Sequence, residues 1–136
     1  MNVSYQHILY SLALKAFKRG EIPVAAILVK NGRIIAKAYN KRFSNNNLLG
    51  HAEIKCILKG TKKLKTWRLS DCDLYVTLEP CSMCREVIRE ARIRNVYFIC
   101  NKTKKVVNKT NFIKLESSNS GDFSSLLTTF FESLRK

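Results

Sequence analysis

Two short segments hold the residue types that could do chemistry, residues 51–53 (His-Ala-Glu) and residues 80–84 (Pro-Cys-Ser-Met-Cys). Cys81 and Cys84 are three positions apart at a predicted helix start, so both thiols lie on one face, and the free N–H groups of the first turn favour thiolates. His51 would add a third ligand. Two thiolates and one imidazole leave the fourth position of a tetrahedral Zn²⁺ open, which is typical of a catalytic site.

Glu53 stands two residues after His51 and is the candidate proton carrier. Zinc lowers the pKa of a bound water toward 7, and a neighbouring carboxylate can take the proton and pass it on. A spacing of two residues is poor for a shared helix face. We therefore expect His51 and Glu53 where a helix begins rather than in its middle.

A structural zinc site is the alternative, because Cys-x-x-Cys alone is often structural or redox-active. Such a site would need a fourth protein ligand, for which the sequence offers Cys56, Cys72, Cys100 and His7. Cys56 and Cys72 stand among apolar or small neighbours, where a buried cysteine acts as a small hydrophobe. His7 is more typical of a surface helix residue. We therefore favour the catalytic site.

His-x-Glu followed by Pro-Cys-x-x-Cys is the signature of zinc-dependent nucleobase deaminases. From about residue 21 to residue 95 the chain resembles the bacterial tRNA-specific adenosine deaminases. The similar segments are residues 21–26 (EIPVAA), 31–32 (NG), 40–42 (NKR), 51–54 (HAEI) and 74–84 (LYVTLEPCSMC). The last segment is long enough to be specific within the superfamily.

The resemblance implies site residues, a cofactor and a fold. It assigns His51, Cys81 and Cys84 to one Zn²⁺ per subunit and makes Glu53 the proton shuttle. It also implies contacts to the target base from Asn40, Val24 and Leu78. The implied fold is the cytidine-deaminase-like three-layer α/β/α sandwich with a mixed five-stranded sheet, in a homodimer.

The activity implied by the resemblance is hydrolytic deamination of adenosine to inosine at the wobble position of a tRNA anticodon loop. A base must leave its stack to reach the metal, so an unpaired loop nucleotide is a cheaper substrate than a paired one. Two alternatives stay open. One is a deaminase of a free base or nucleoside such as guanine or cytosine, and the other is a zinc-containing RNA-binding module without catalysis.

The charge of the chain favours a nucleic-acid partner. Lys and Arg total 25 against 10 acidic residues, a net charge of +15. A charge of this size attracts polyanions, whereas a small neutral base needs no such field. The expected partner is therefore the anticodon stem-loop of tRNA. The segment after Cys100, residues 101–110, is shorter than the Gly-rich segment with which the family usually holds that stem-loop.

The candidate RNA contacts lie in two places. A basic stretch beginning at Lys55 supplies the residues Lys62, Lys63, Lys65 and Arg68, and the aromatic pair Phe130 and Phe131 precedes a basic tail. The stretch could line a phosphate path. The aromatic pair resembles that of the family's last helix, and sealing of the core is the simpler role for at least one ring.

The elements that must position these residues follow from periodicity and from turn residues. With 136 residues we expect one domain, 1–136. The predicted helices are 3–19, 51–59 (stopped by Gly60), 80–91 and about 123–134, and the predicted strands are 24–29, 33–38, 74–77, 96–100 and a marginal 112–115. Strand, helix and strand over 74–100 predict a parallel crossover.

We also expect a cytoplasmic protein without a membrane segment. The longest apolar run, residues 24–29, is far too short to cross a bilayer as a helix. Residues 1–6 lack the basic and apolar regions of a secretory signal.

Overall fold

Three helices and four strands lie between residues 3 and 100 of the computed structural model, which describes residues 2–102, 110–115 and 120–135. The elements are α1 (Val3–Lys18), β1 (Ala25–Lys30), β2 (Arg33–Tyr39), α2 (Ala52–Leu64), β3 (Cys72–Leu78), α3 (Ser82–Glu90), β4 (Asn95–Cys100) and α4 (Ser120–Ser133). The chain divides into two compact units, residues 1–105 and residues 106–136, and α4 belongs to the second. The single domain expected over residues 1–136 stays a prediction.

The first hairpin forms at the predicted turn. Asn31 and Gly32 have φ values of 51° and 76°, and a two-residue turn of this kind needs positive φ at both positions. β1 then pairs with β2 in antiparallel register, from Ala25 opposite Tyr39 to Lys30 opposite Arg33. The register therefore brings the end of β2 beside the start of β1.

The sheet has the order β2-β1-β3-β4, with β1 antiparallel to both neighbours and β3 parallel to β4. The predicted crossover through α3 is confirmed. The expectation of a fifth strand is wrong for the described residues, because residues 110–115 include no strand. Phe112, Ile113 and Leu115 are 95%, 80% and 83% exposed, so nothing buries the apolar side chains of that segment as a sheet would.

Helices cover both faces of the sheet, as the predicted three-layer arrangement requires. On one face Leu9 of α1 packs with Ala25, Ile27 and Val29 of β1. On the other face the alternate β1 residues Ala26 and Leu28 join a larger cluster that includes residues of α2, β3 and α3. Because side chains alternate between the two faces of the sheet, the buried residues of β1 contribute to two separate cores.

Helix α2 runs beyond the predicted stop at Gly60 and ends at Leu64. A Cβ atom at position 60 would lie 2.4 Å from Cδ2 of Leu28. This glycine therefore permits close packing of α2 on the sheet instead of ending the helix. Lys65, with φ 56°, is the residue that caps the helix. In the part of the chain that the structure describes, no helix is long and apolar enough to cross a membrane.

Candidate metal centre and active site

The three predicted ligands meet where two helices begin. His51 is the N-cap of α2 and Cys81 is the N-cap of α3, and Cys84 lies in the first turn of α3. The Nδ1 atom of His51 is 3.9 Å from Sγ of Cys81 and 3.5 Å from Sγ of Cys84. All three ligand atoms lie within 4.8 Å of one another. The predicted placement of His51 at a helix start is confirmed.

The donor set fits zinc. Tetrahedral bonds of about 2.1 Å to nitrogen and about 2.3 Å to sulfur separate the two donor atoms by roughly 3.5 Å, close to the distances between His51 and the thiols. Burial, together with the charges of Arg42 and Lys102, lowers the pKa of His51, which favours the neutral imidazole that binds a metal. Burial raises the pKa of the Cys84 thiol, a cost that a coordinated cation offsets.

No other histidine or cysteine of the described residues joins this group, which consists of His51, Cys81 and Cys84. Cys56 is fully buried, its thiol donates to the carbonyl of Ala36, and burial raises its pKa to about 12. Burial likewise raises the pKa of Cys72 to about 11. Among the described residues the centre thus has three protein ligands, which favours the catalytic arrangement over the structural one.

Glu53 lies in the first turn of α2 with only 4% of its surface exposed. Burial raises the pKa of this carboxyl, and a hydrogen bond with Cys84 lowers it to a smaller extent. A carboxyl with a raised pKa exchanges protons more readily near neutral pH. The structure therefore brings the predicted proton shuttle together with the predicted ligands.

Asn40 is buried and its Oδ1 accepts a hydrogen bond of 2.7 Å from the backbone N–H of Ala52. That bond satisfies one free donor at the start of α2. Val24, which is 6% exposed, and the half-buried Leu78 pack in the same core cluster as Ala52. The contacts of Asn40, Val24 and Leu78 with a base stay predictions.

Glu21 is a site residue to which the sequence analysis assigned no role. It is 4% exposed, and its two carboxylate oxygens accept hydrogen bonds of 2.8 and 2.7 Å from the backbone N–H groups of Phe43 and Ser44. Burial acts to raise the pKa of Glu21, and these hydrogen bonds lower it by more. Glu21 thus anchors the loop after Asn40. The only sequence signal for a role of Glu21 was its place in residues 21–26, a segment that resembles the tRNA-specific adenosine deaminases.

The predicted basic contacts lie away from the metal centre. Lys62 and Lys63 are in the last turn of α2, Lys65 caps the helix, and Arg68 follows it. Since Glu53 is ten residues before Lys63, the two are separated by about 15 Å along the helix axis. The structure does not bring these four residues together with the site.

Phe130 and Phe131 lie on α4 in the second unit. They are 57% and 55% exposed, and their ring centroids are 5.6 Å apart in an edge-to-face arrangement. Within the described residues neither ring is buried in a core. The structure therefore does not support the simpler role, in which at least one ring seals the core. The shortened segment at residues 101–110 lies mostly outside the described residues, which omit 103–109.

Comparison with known proteins gives a family match over most of the chain. Residues 2–100 match the cytidine and deoxycytidylate deaminase zinc-binding region. The chain is 39% identical to a tRNA-specific adenosine deaminase of Aquifex aeolicus, over 90% of this chain and 89% of that protein. It is 46% identical to the tRNA-specific adenosine deaminase of Bacillus subtilis, over 63% of this chain and 53% of the relative. A match to a chloroplastic tRNA(adenine(34)) deaminase of Arabidopsis thaliana, 48% identical over 62% of this chain, spans 6% of that protein.

Solved structures with a similar fold include the following two. One, from a study of A-to-I editing by tRNA:A34 deaminases at the wobble position of transfer RNA, has a TM-score of 0.72 and 39% identity, covering 74% of this chain and 73% of its own. The other is a guanine deaminase from Bacillus subtilis, with a TM-score of 0.78 and 26% identity, covering 94% of this chain and 95% of its own. The likeness thus includes enzymes with different substrates.

Proposed function

We propose that this chain, which belongs to the cytidine and deoxycytidylate deaminase family and is related within it to the tRNA-specific adenosine deaminases, converts adenosine to inosine at the wobble position of a tRNA anticodon loop. The observation that carries the proposal is the buried Glu53 beside the cluster of His51, Cys81 and Cys84. A structural metal site has no use for a buried carboxyl at that place, whereas a hydrolytic deaminase requires one.

His51, Cys81 and Cys84 would hold the zinc ion. When bound, zinc supplies a Lewis acid and makes hydroxide available at neutral pH. The two helix starts keep the donors in place, since His51 and Cys81 are the N-caps of α2 and α3.

Glu53 moves the protons of the reaction. It takes a proton from the attacking water and delivers it to N1 of adenine while the new bond forms at C6. It then passes the second proton to the exocyclic amino group as the C6–N bond breaks. One water is consumed, ammonia leaves, and inosine is the product. The buried position of Glu53 excludes bulk water from these transfers.

Asn40 positions the base in this proposal. Its Oδ1 is held by the N–H of Ala52, which leaves the amide Nδ2 as a donor toward the purine. Val24 and Leu78 would offer apolar surface to the base at the same end of the sheet. The sequence-predicted RNA contacts Lys62, Lys63, Lys65 and Arg68, and the pair Phe130 and Phe131, would act at a distance from the reacting atoms.

Deamination of free guanine is the second candidate, because the structural match to a guanine deaminase covers 94% of this chain. The net charge of +15 favours RNA over a small neutral base. The test is deamination of a synthetic anticodon stem-loop with adenosine at the wobble position, beside free adenosine, cytidine, cytosine and guanine. Conversion of the stem-loop alone supports the proposal, and conversion of guanine alone selects the second candidate. No conversion by zinc-loaded protein selects the non-catalytic RNA-binding module.

We further propose that the protein is a homodimer and works in the cytoplasm, where its tRNA substrate is found. The homodimer rests on the resemblance seen in the sequence. Light scattering after size exclusion tests it, with an expected mass of twice the chain mass of 15.6 kDa. A species with the mass of one chain at micromolar protein concentration would overturn the homodimer.

A further inference from the structure

Three cationic side chains surround Tyr39, the last residue of β2. Nζ of Lys41 is 5.3 Å from the centroid of the tyrosine ring, Cζ of Arg19 is 5.7 Å away, and Nζ of Lys55 is 5.8 Å away. All three distances are within the range of a cation–π contact. We call Arg19, Lys41, Lys55 and Tyr39 the Tyr39 cluster.

The cluster is assembled from three separate parts of the chain. Arg19 is the C-cap of α1, Lys41 follows β2, and Lys55 is the fourth residue of α2. Lys41 and Tyr39 flank Asn40, and Lys55 is two residues after Glu53. The cluster therefore lies at the same end of the sheet as the metal centre.

Neighbouring acids balance the positive charge of the cluster only in part. The ion pairs among the described residues include none of its three cations. Glu21 is the acid whose charge acts on Lys55, and a single carboxylate balances at most one of the three positive charges. Burial lowers the pKa of Lys55, and the charges of Lys41 and Lys59 lower it further.

Three unpaired cations at one place repel one another, and an anion that lies between them removes this repulsion. The cation–π contacts with Tyr39 hold the side chains near one another in advance, which reduces the entropy lost on binding. Guanidinium and ammonium groups are both common ligands of phosphate.

We infer that Arg19, Lys41 and Lys55 form a binding site for a backbone phosphate of the RNA strand, next to the nucleotide that is deaminated. The inference rests on the proposed function and deepens it, because it assigns the phosphate contact closest to the reacting base to residues other than Lys62, Lys63, Lys65 and Arg68. This phosphate site would hold the strand while Asn40 and Glu53 act on the base.

The test compares two double variants that remove the same charge. Lys41→Gln/Lys55→Gln removes two cations of the cluster, and Lys62→Gln/Lys63→Gln removes two at the far end of α2. Affinity for a labelled anticodon stem-loop is measured across salt concentrations by fluorescence anisotropy. We expect the cluster variant to bind on the order of tenfold more weakly at low salt. The slope of log K against log salt should become shallower by about 0.7 for each phosphate that the variant no longer neutralises.

A stem-loop with uncharged methylphosphonate linkages on both sides of the wobble adenosine provides the second arm. We expect the unaltered protein to bind this RNA more weakly than the normal stem-loop. The cluster variant should bind the two RNAs with equal affinity. Retained zinc and an unchanged circular dichroism spectrum show that the variant is folded. The inference is overturned if both double variants weaken binding equally, or if the cluster variant discriminates the modified RNA as the unaltered protein does.

The two proposals fail in different ways. If the unaltered protein binds the stem-loop but forms no inosine, the proposed function fails, and the binding comparison still decides on the phosphate site. If inosine forms and the cluster variant binds RNA as tightly as the unaltered protein, the phosphate site fails and the proposed function stands.

Discussion

The two ends of the central sheet use charge in opposite ways. At the end where β3 and β4 begin, Asp71 pairs with Lys30 at 3.2 Å, and Asp73 pairs with Arg94 at 3.0 Å. At the end where the metal ligands meet, Glu53 is buried with a raised pKa and the cations around Tyr39 have no acidic partner among the described ion pairs. The first end holds two ion pairs, whereas Glu53 and the three cations at the metal end take part in none of the described ion pairs, although Glu79 and Arg85 form one nearby.

The difference separates structural charges from functional ones. Paired groups at the first end favour their charged forms, which stabilises the native state. At the metal end, Glu53 and the cations of the Tyr39 cluster keep unfavourable energies that a ligand can relieve, and such groups are typical of functional sites. Along helix α2, Lys55 lies in the Tyr39 cluster, whereas Lys63 lies near the opposite end of the helix, about 12 Å further along the axis.

The sharpest way to test the comparison is Glu53→Gln. The amide cannot carry the proton, so we expect inosine formation on the stem-loop to fall by roughly 10³-fold or more. The thermal midpoint and the zinc content should stay close to those of the unaltered protein, because glutamine has the same shape. Mass spectrometry of the product, thermal unfolding and metal analysis measure these three quantities. An undiminished rate would disprove the proton-transfer role.

Glu21→Gln tests the loop anchor at the same end. The carboxylate accepts hydrogen bonds from two backbone N–H groups. In the variant the amide N–H₂ group would face one of them, which leaves a buried donor without an acceptor. We expect KM for the stem-loop to rise about tenfold, with little change in kcat, since the loop carries Lys41 rather than the proton shuttle.

The matched control for this variant is Glu86→Gln, which removes the same charge from the exposed side of α3. Steady-state kinetics on the stem-loop compare the two. A fall in kcat with unchanged KM, or an equal effect of the control, would remove the positioning role of Glu21.

Asp73→Asn tests the opposite end of the sheet and should have the smallest effect. Hydrogen bonds from Arg94 and Asn95 lower the pKa of Asp73 below its ordinary value. We expect the variant to lose about 1 kcal/mol of unfolding free energy at pH 7, a modest value because Arg94 is 54% exposed. Deamination should be unchanged.

The pH dependence of that loss has a definite sign. A lowered pKa in the folded state adds stability above the unfolded pKa of about 3.9, and this stability is lost as pH falls through that value toward the folded pKa. The curves for the variant and the unaltered protein should therefore converge below about pH 4. Urea unfolding between pH 7 and pH 3.5 measures the difference. A difference that stays constant over this range would contradict the assignment.

Local pattern predicted much of the fold. The turn at Asn31 and Gly32 forms as expected because positive φ is inexpensive for these residue types. The starts of α2 and α3 were located closely because the ligand spacings require helix termini there. The fifth strand and the stop at Gly60 were wrong, since both depend on what packs against the segment rather than on the segment itself.

The sequence by itself determined the chemical inventory: three candidate metal ligands, one carboxyl at a helix start, and an excess of positive charge. The tertiary structure alone decided which distant residues meet. It brings His51 to Cys81 across 30 positions, Glu21 to Phe43 across 22, and three cations to one tyrosine ring. Residue type and spacing act within a few positions along the chain, whereas these contacts depend on strand register and helix packing between distant segments.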